Sequence, residues 1–337
     1  MIEGLSGSLV SRHFAERRLQ TAFEGRLGEQ DRDRGRRQLQ AWCRVRASAL
    51  GPASSLRTMF DRGAAPLMAI LGYDAGGLGP VAPDQPAHAP LRAPGSAAAG
   101  LVVCPWGVDP GRLWRGAVLE GIRRDARWCF VFNGVSLRLV DAARTFARRH
   151  LEIDLELAAA DDRLFALLWG ALHARALAPP AGQAGRALAL ADRIFEASDA
   201  DRAAVRASLG DGVRSSILDL LNCALPRARR PGATAAVAAG DALLEQSLVV
   251  VYRILFLLFA EARGLVPVWH PIYRGSYSID ALARQAERES GTRGLWEALE
   301  AITRLARRGC EAGDLKVTAF NGRLFSRSPA SLVAAGA

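Results

Sequence analysis

The stretch Arg127-Trp-Cys-Phe-Val-Phe-Asn-Gly-Val-Ser-Leu-Arg-Leu-Val-Asp141 decides the fold. Trp128 to Phe132 and Leu137 to Val140 are short runs rich in aromatic, β-branched and other apolar residues, which suit a pleated surface. Asn133-Gly134 stands between them, and this pair fits the positive φ angles of a type I′ turn, so the stretch predicts an antiparallel hairpin. Just upstream, Leu101 to Cys104 reads as a short apolar strand broken by Pro105 and Gly107. Leu113, Trp114, Ala117, Val118 and Ile122 then recur at helical spacing. Strand, helix and hairpin in this order predict a small mixed α/β domain over residues 52–157.

Outward from this unit the pattern changes twice. Asp74 to Gly100 is so rich in Gly, Pro and Ala that it predicts a long surface loop with no core element. Residues 1–51 alternate acid, base and leucine, as in Glu29-Gln-Asp-Arg-Asp-Arg-Gly-Arg-Arg37, and predict a solvated helical N-terminal arm. From Asp161 onward the apolar period becomes that of helices. Candidates fall at 162–177, 185–197, 200–209, 213–224, 241–263, 279–289 and 294–308, with Gly210 and Gly264 as stops. A helical connector, read as all-α, is thus expected over 158–320, followed by a frayed junction at 321–337. The fold class predicted is α+β.

Composition narrows the chemistry. The 337 residues are 50% hydrophobic and 23% charged, enough for a sizeable core. Lys+Arg is 44 against Asp+Glu 34, a formal net charge of +10, which favours a polyanionic partner, although arginine and alanine richness also follows from a GC-rich gene. Lys316 is the single lysine. No Gly-Lys pair exists, which excludes a Walker-type phosphate loop, and no lysine before 316 can form a Schiff base. Cys43, Cys104, Cys129, Cys223 and Cys310 have no metal or redox spacing and read as buried thiols. His13, His88, His150, His173 and His270 are scattered, so no histidine metal site is expected, and His270 reads as a satisfied loop histidine. The first residues lack a secretory signal, which predicts a cytoplasmic protein. Leu248 to Ala260 reads as a core helix, too short for a bilayer and interrupted by Arg253, whose expected partner is a carboxylate on another helix.

Two basic segments are candidates for phosphate contact. Residues 111–150 hold nine arginines against Glu120, Asp125 and Asp141. Arg123, Arg124, Arg148 and Arg149 are the candidates there, unless they pair with the acidic run Glu152, Asp154, Glu156, Asp161 and Asp162. Pro226-Arg-Ala-Arg-Arg-Pro231 places Arg227, Arg229 and Arg230 in a loop between prolines, which reads equally as a solvated connector.

Arg127-Trp-Cys-Phe-Val-Phe-Asn-Gly134, Leu137-Arg-Leu-Val-Asp141, Arg144-Thr145 and Leu151-Glu-Ile-Asp-Leu155 resemble the N-terminal region of large single-chain adenine-specific DNA methyltransferases of restriction-modification systems. Tyr252 to Pro267, Tyr273-Arg, Tyr277-Ser278 and Phe320-Asn-Gly-Arg-Leu-Phe325 continue the likeness in order. The resemblance covers about Leu71 to Phe325. It implies a degenerate restriction-nuclease-like domain at 52–157 and a helical connector leading to a methyltransferase that uses S-adenosylmethionine. Such a nuclease needs an acidic residue followed by Glu-x-Lys, yet the corresponding strand reads Val102-Val-Cys-Pro105. No Gly-rich cofactor loop and no Asn-Pro-Pro-Tyr-like tetrapeptide occur either. The expectation is therefore a chain inactive alone, a fragment, truncated product or split subunit, with no catalytic, metal or cofactor-binding residue of its own. It would contact the DNA backbone or a methyltransferase partner in phage defence or restriction-modification, and no membrane. The rival expectation is a freestanding protein-interaction scaffold with no nucleic-acid role.

Overall fold

In a computed structural model, residues 2–18, 28–81, 85–93, 99–179, 188–228, 233–288, 294–320 and 322–325 are described. Arg229, Arg230 and most of the 321–337 junction lie outside these residues. The chain is α+β and divides into two compact units, Met1–Val205 and Arg206–Ala337. The division falls beyond the 157/158 boundary expected from periodicity, because the first unit also takes in the N-terminal residues and the helices after Asp154.

The first unit is built on a seven-stranded sheet with the order β1-β7-β6-β5-β4-β3-β2. Its strands are β1 Leu5–Gly7, β2 Asp74–Ala75, β3 Ala87–Arg92, β4 Ala99–Val103, β5 Trp128–Phe132, β6 Ser136–Asp141 and β7 His150–Asp154. β4 and β5 run parallel, joined by the helix Trp114–Arg123, while every other pairing is antiparallel. Alternation within each strand feeds two cores. Leu101, Val103, Phe130, Phe132, Leu137 and Leu139 point to one face, beneath the helices Glu29–Ala49, Ala65–Ile70 and Asp162–Leu172. Val102, Cys104, Cys129, Val131 and Val140 point to the other, under Trp114–Arg123.

The expected hairpin is present, with Phe132 opposite Leu137 and Trp128 opposite Asp141. Its turn differs from type I′. With Phe132 opposite Leu137 the central pair is Gly134-Val135, and Gly134 has φ +86 whereas Val135 is not among the residues with positive φ, as in a type II′ turn. Asn133 instead closes the turn through its side chain, whose Oδ1 accepts from Val135 N at 2.9 Å and Ser136 N at 2.6 Å. A Cβ on Gly134 would also lie 2.4 Å from the Trp106 ring.

Two regions expected to lie outside the core, a solvated helical arm and a surface loop, contribute to this sheet domain. β1 pairs with β7, and Glu29–Ala49 buries Gly35, Leu39, Trp42 and Arg46 along one stripe, so these parts of the expected arm are packed into the domain and not solvated. That stripe contains a glycine and an arginine, which hid its period. Gly35 is needed there because a Cβ would come within 2.3 Å of the Trp169 ring. The expected loop 74–100 contains β2 and β3, in which Ala87, Ala89 and Leu91 are fully buried. Pro90 is tolerated because the carbonyls of His88 and Pro90 accept from Gly79 N and Gly76 N. The absent N–H of Pro90 therefore faces the short β2 side, and no bond to β4 is lost.

His173 ends Asp162–Leu172 with its ring 4.3 Å from that of Trp169, and its Nδ1 accepts from Arg175 N to cap Ala174–Leu177. Burial, reinforced by Arg175, lowers its pKa from 6.5 to about 4. Between these values the unfolded chain binds the extra proton. Stability is therefore full above pH 6.5 and falls by up to about 3 kcal/mol as pH drops through 4. Burial lowers His88 and His150 too and adds in the same direction. His173→Asn keeps a capping acceptor and should flatten the slope of urea-unfolding free energy across this window; an unchanged slope would contradict the assignment.

The second unit is mainly helical. The expected breaks at 198–199 and Gly210 are absent, since one helix, Leu190–Ala228, runs through them and across the unit boundary. Pro226 and Arg227 fall within it, so they are not in a loop. Ala233–Ala262 follows, then Ile279–Arg288 and Leu295–Arg308. Gly264, with φ +65, stops the long apolar helix as expected. A two-stranded hairpin, Cys310–Ala312 with Leu315–Val317, means this unit is not purely α. Its core gathers Leu257, Ile279, Ile302, Ala306 and Phe325, with Phe256 edge-on to Phe320 and Phe325.

From residue 240 onward Ala233–Ala262 is packed on one side. Leu243, Val250, Leu257 and Ala260 are buried, while Leu244, Tyr252, Leu258 and Phe259 are exposed, so the expected core helix is core along one side and open along the other. Its segment Gly240–Ala262 is also long and apolar enough to cross a membrane by length and composition, contrary to the shorter run counted in the sequence. Arg253 donates from Nε to the Leu324 carbonyl at 2.7 Å, and Glu261 accepts from Ile279 N at 2.7 Å.

Candidate nucleic-acid interface

The arginine-rich segment includes the helix Trp114–Arg123, which packs on the face of the sheet formed by Val102, Val131 and Val140. Asp109 accepts from Gly111 N at 2.8 Å and starts a 3-10 turn, Pro110–Leu113, that leads into Trp114–Arg123. This helix packs Ala117, Val118 and Gly121 inward and turns Arg115, Leu119, Ile122 and Arg123 outward, residues about one and two turns apart. The connection from β6 to β7, residues 142–149, lies along the helix. Gly121 abuts Ala142 at one end, and Trp114 meets His150 edge-on at 6.4 Å at the other. Between these two contacts the loop carries Arg144, Phe146 and Arg148, all exposed.

The four arginines expected here have different surroundings. Arg124 Nε is bound to Glu120, a buried carboxylate that also lies 3.2 Å from His88 Nδ1. Arg149 is mostly buried and holds Asp199 at 2.7 Å. Arg123 and Arg148 are exposed. Among the described residues neither has an ion pair, and the same holds for Arg112, Arg115 and Arg144. Arg127 is neutralised by Asp192 at 2.7 Å and Asp141 at 3.5 Å, and its guanidinium lies 4.3 Å from the Trp128 ring. Arg138 donates to Glu152 from Nε at 2.9 Å and Nη2 at 2.5 Å. Of the acidic run thought to mask this segment, Glu152 does so for Arg138, while Glu156 and Asp162 are taken by Arg46 and Arg36 from the N-terminal helix. Arg112, Arg115 and Arg144 were among the nine arginines counted but not among the four chosen as candidates. Their signal was available, since they share the helix start and the loop with the chosen residues.

A polar cavity of about 470 Å³ is lined, among others, by Ser6, Arg12, Asp109, Asn133, Ser136 and Glu152. Glu152 is already engaged by Arg138 and by the Ser136 hydroxyl at 2.7 Å, so the cavity is a satisfied network. Val102, Val103 and Cys104, where the resemblance led one to expect a nuclease Glu-x-Lys, are wholly buried and their side chains offer no oxygen ligand, so these residues do not fit a nuclease metal. Among the described residues no group of three or more His, Cys, Asp or Glu is placed to hold a metal ion. Burial raises the Cys104 thiol to about 12 and pushes Cys129 up as well, which makes both poor nucleophiles; Cys223 is exposed, unlike its expected burial.

No protein-family model, no curated protein and no solved structure matches this chain.

Proposed function

We propose that the protein is the non-catalytic N-terminal portion of a DNA adenine methyltransferase of the restriction-modification or phage-defence type, acting in the cytoplasm and holding the DNA backbone while a separate methyltransferase domain or subunit performs the transfer. The observation that carries the DNA contact is the exposed set Arg112, Arg115, Arg123, Arg144 and Arg148, free of ion pairs among the described residues: Arg112 in the 3-10 turn, Arg115 and Arg123 on the helix that follows it, and Arg144 and Arg148 in the loop whose two ends touch that helix. Each guanidinium offers a forked donor to phosphate, and among the described residues no carboxylate is paired with it. The ordered sequence motifs supply the family. S-adenosylmethionine belongs, on this reading, to the partner and not to this chain.

A second reading, the protein-interaction scaffold, has its own support in the exposed Leu244, Tyr252 and Phe259 of Ala233–Ala262. Duplex binding separates the two. Fluorescence anisotropy with several unrelated duplexes should give dissociation constants of roughly 10⁻⁴ to 10⁻⁶ M at physiological salt, alike for every sequence. Absence of binding even at low salt would favour the scaffold.

A further inference from the structure

The loop between β6 and β7 is fixed at both ends and presents one aromatic ring between them. At its base Asp141 N donates to the Arg149 carbonyl at 3.0 Å, and Ala142 rests against Gly121. Arg149 ties the far end to Asp199 at 2.7 Å. Within the loop Ala147 N donates to the Arg144 carbonyl at 3.1 Å, which closes a turn with Thr145 and Phe146 at its tip. Arg148 follows with φ +44. Phe146 is fully exposed, at 101% of its reference area. Arg144 and Arg148 flank it, both exposed.

Charge selects the occupant. A protein surface meeting this tip would need carboxylates on either side of an apolar pocket, whereas a nucleic acid strand supplies both parts at its own repeat, a π-face between phosphates. In a duplex the bases are already stacked on one another, and reaching one requires unstacking a step. An unpaired base can lie on the ring while adjacent phosphates meet the guanidinium groups. We propose that Phe146 is a stacking platform for an unpaired base, so that this face binds single-stranded DNA in preference to duplex. The proposal rests on the reading that the exposed arginines meet DNA phosphates, and it adds which state of DNA they meet.

The test compares a labelled oligothymidylate with a duplex of equal length, and repeats the single strand with 2-aminopurine in place of one base. Phe146→Ala should weaken single-strand binding roughly tenfold and leave duplex binding nearly unchanged. Phe146→Trp should restore it. Wild type and Phe146→Trp should quench 2-aminopurine fluorescence, and Phe146→Ala should not. If Phe146→Ala matches wild type on the single strand while Arg144→Gln with Arg148→Gln weakens both DNA forms, the platform is wrong and the phosphate reading stands. If the arginine variant also matches wild type on both forms, the phosphate reading falls with it. An unchanged melting temperature for Phe146→Ala is expected from its exposure and keeps the comparison interpretable.

Discussion

Leu257→Asp is expected to unfold or aggregate the second unit. Leu257 is 1% exposed and packs with Ile279, Ile302 and Phe325. Emptying such a site costs about 2 to 5 kcal/mol, and an unpaired buried carboxylate adds several more. The sum rivals the whole stability of a domain, commonly about 5 to 15 kcal/mol. Tyr252→Asp, on the open side of the same helix, should stay within about 0.5 kcal/mol of wild type. Thermal melts of both variants check this. Equal destabilisation would show that the helix is packed all round, and a soluble Leu257→Asp with unchanged melting would remove it from the core.

Arg46→Met should destabilise the sheet domain by about 3 kcal/mol, the sum of a lost bond to a buried carbonyl and two lost ring contacts. The Arg46 side chain is 5% exposed, donates from Nη1 to the Gly134 carbonyl at 2.9 Å, and lies 5.5 Å from the Trp42 ring and 5.8 Å from that of Trp106. Its ion pair with Glu156, at 3.2 Å, is the weaker part, because Glu156 is 79% exposed and returns to water at little cost. Glu156→Gln should therefore change stability by less than about 0.5 kcal/mol. Arg46→Lys should behave like Arg46→Met, since a compact ammonium cannot keep the contacts to both rings and also reach the hairpin carbonyl with a planar fork. Chemical denaturation of the three variants decides between a ring-stacked cation and a simple salt bridge; a Glu156→Gln loss as large as that of Arg46→Met would favour the salt bridge.

The parts of the fold legible in the sequence were those where composition and periodicity agreed. Trp128 to Val140 alternates between two buried faces and carries a turn residue at the right place, so the hairpin could be placed to within a residue or two. β3 was hidden because its inward residues Ala87 and Ala89 are small and its neighbours are proline and glycine, a composition typical of loops. Leu190–Ala228 was divided at Gly210, yet residues 203–212 are exposed and a glycine in an exposed helix costs only about 1 kcal/mol, too little to break it. The arginine face was legible as a segment but not as a set of residues. Arg149 is occupied by Asp199, fifty positions away in sequence, and Arg124 by Glu120 one turn earlier, and the charge count treats both as free. Phe146 had a usable signal, a lone aromatic inside Ala142-Ala-Arg-Thr-Phe-Ala-Arg-Arg149 with no apolar partner at helical or strand spacing.

The distinction between occupied and exposed arginines gives the most direct test of the DNA contact. Duplex affinity is measured against salt for wild type, for Arg115→Gln/Arg123→Gln/Arg144→Gln/Arg148→Gln and for Arg124→Gln/Arg149→Gln. The exposed set should bind more weakly and flatten the slope of log K against log salt by up to about 0.9 for each lost phosphate contact. The paired set should keep a slope close to wild type, because Glu120 and Asp199 already neutralise those charges. Curves for wild type and the exposed-set variant that superimpose across the titration would contradict the assignment of this face to DNA.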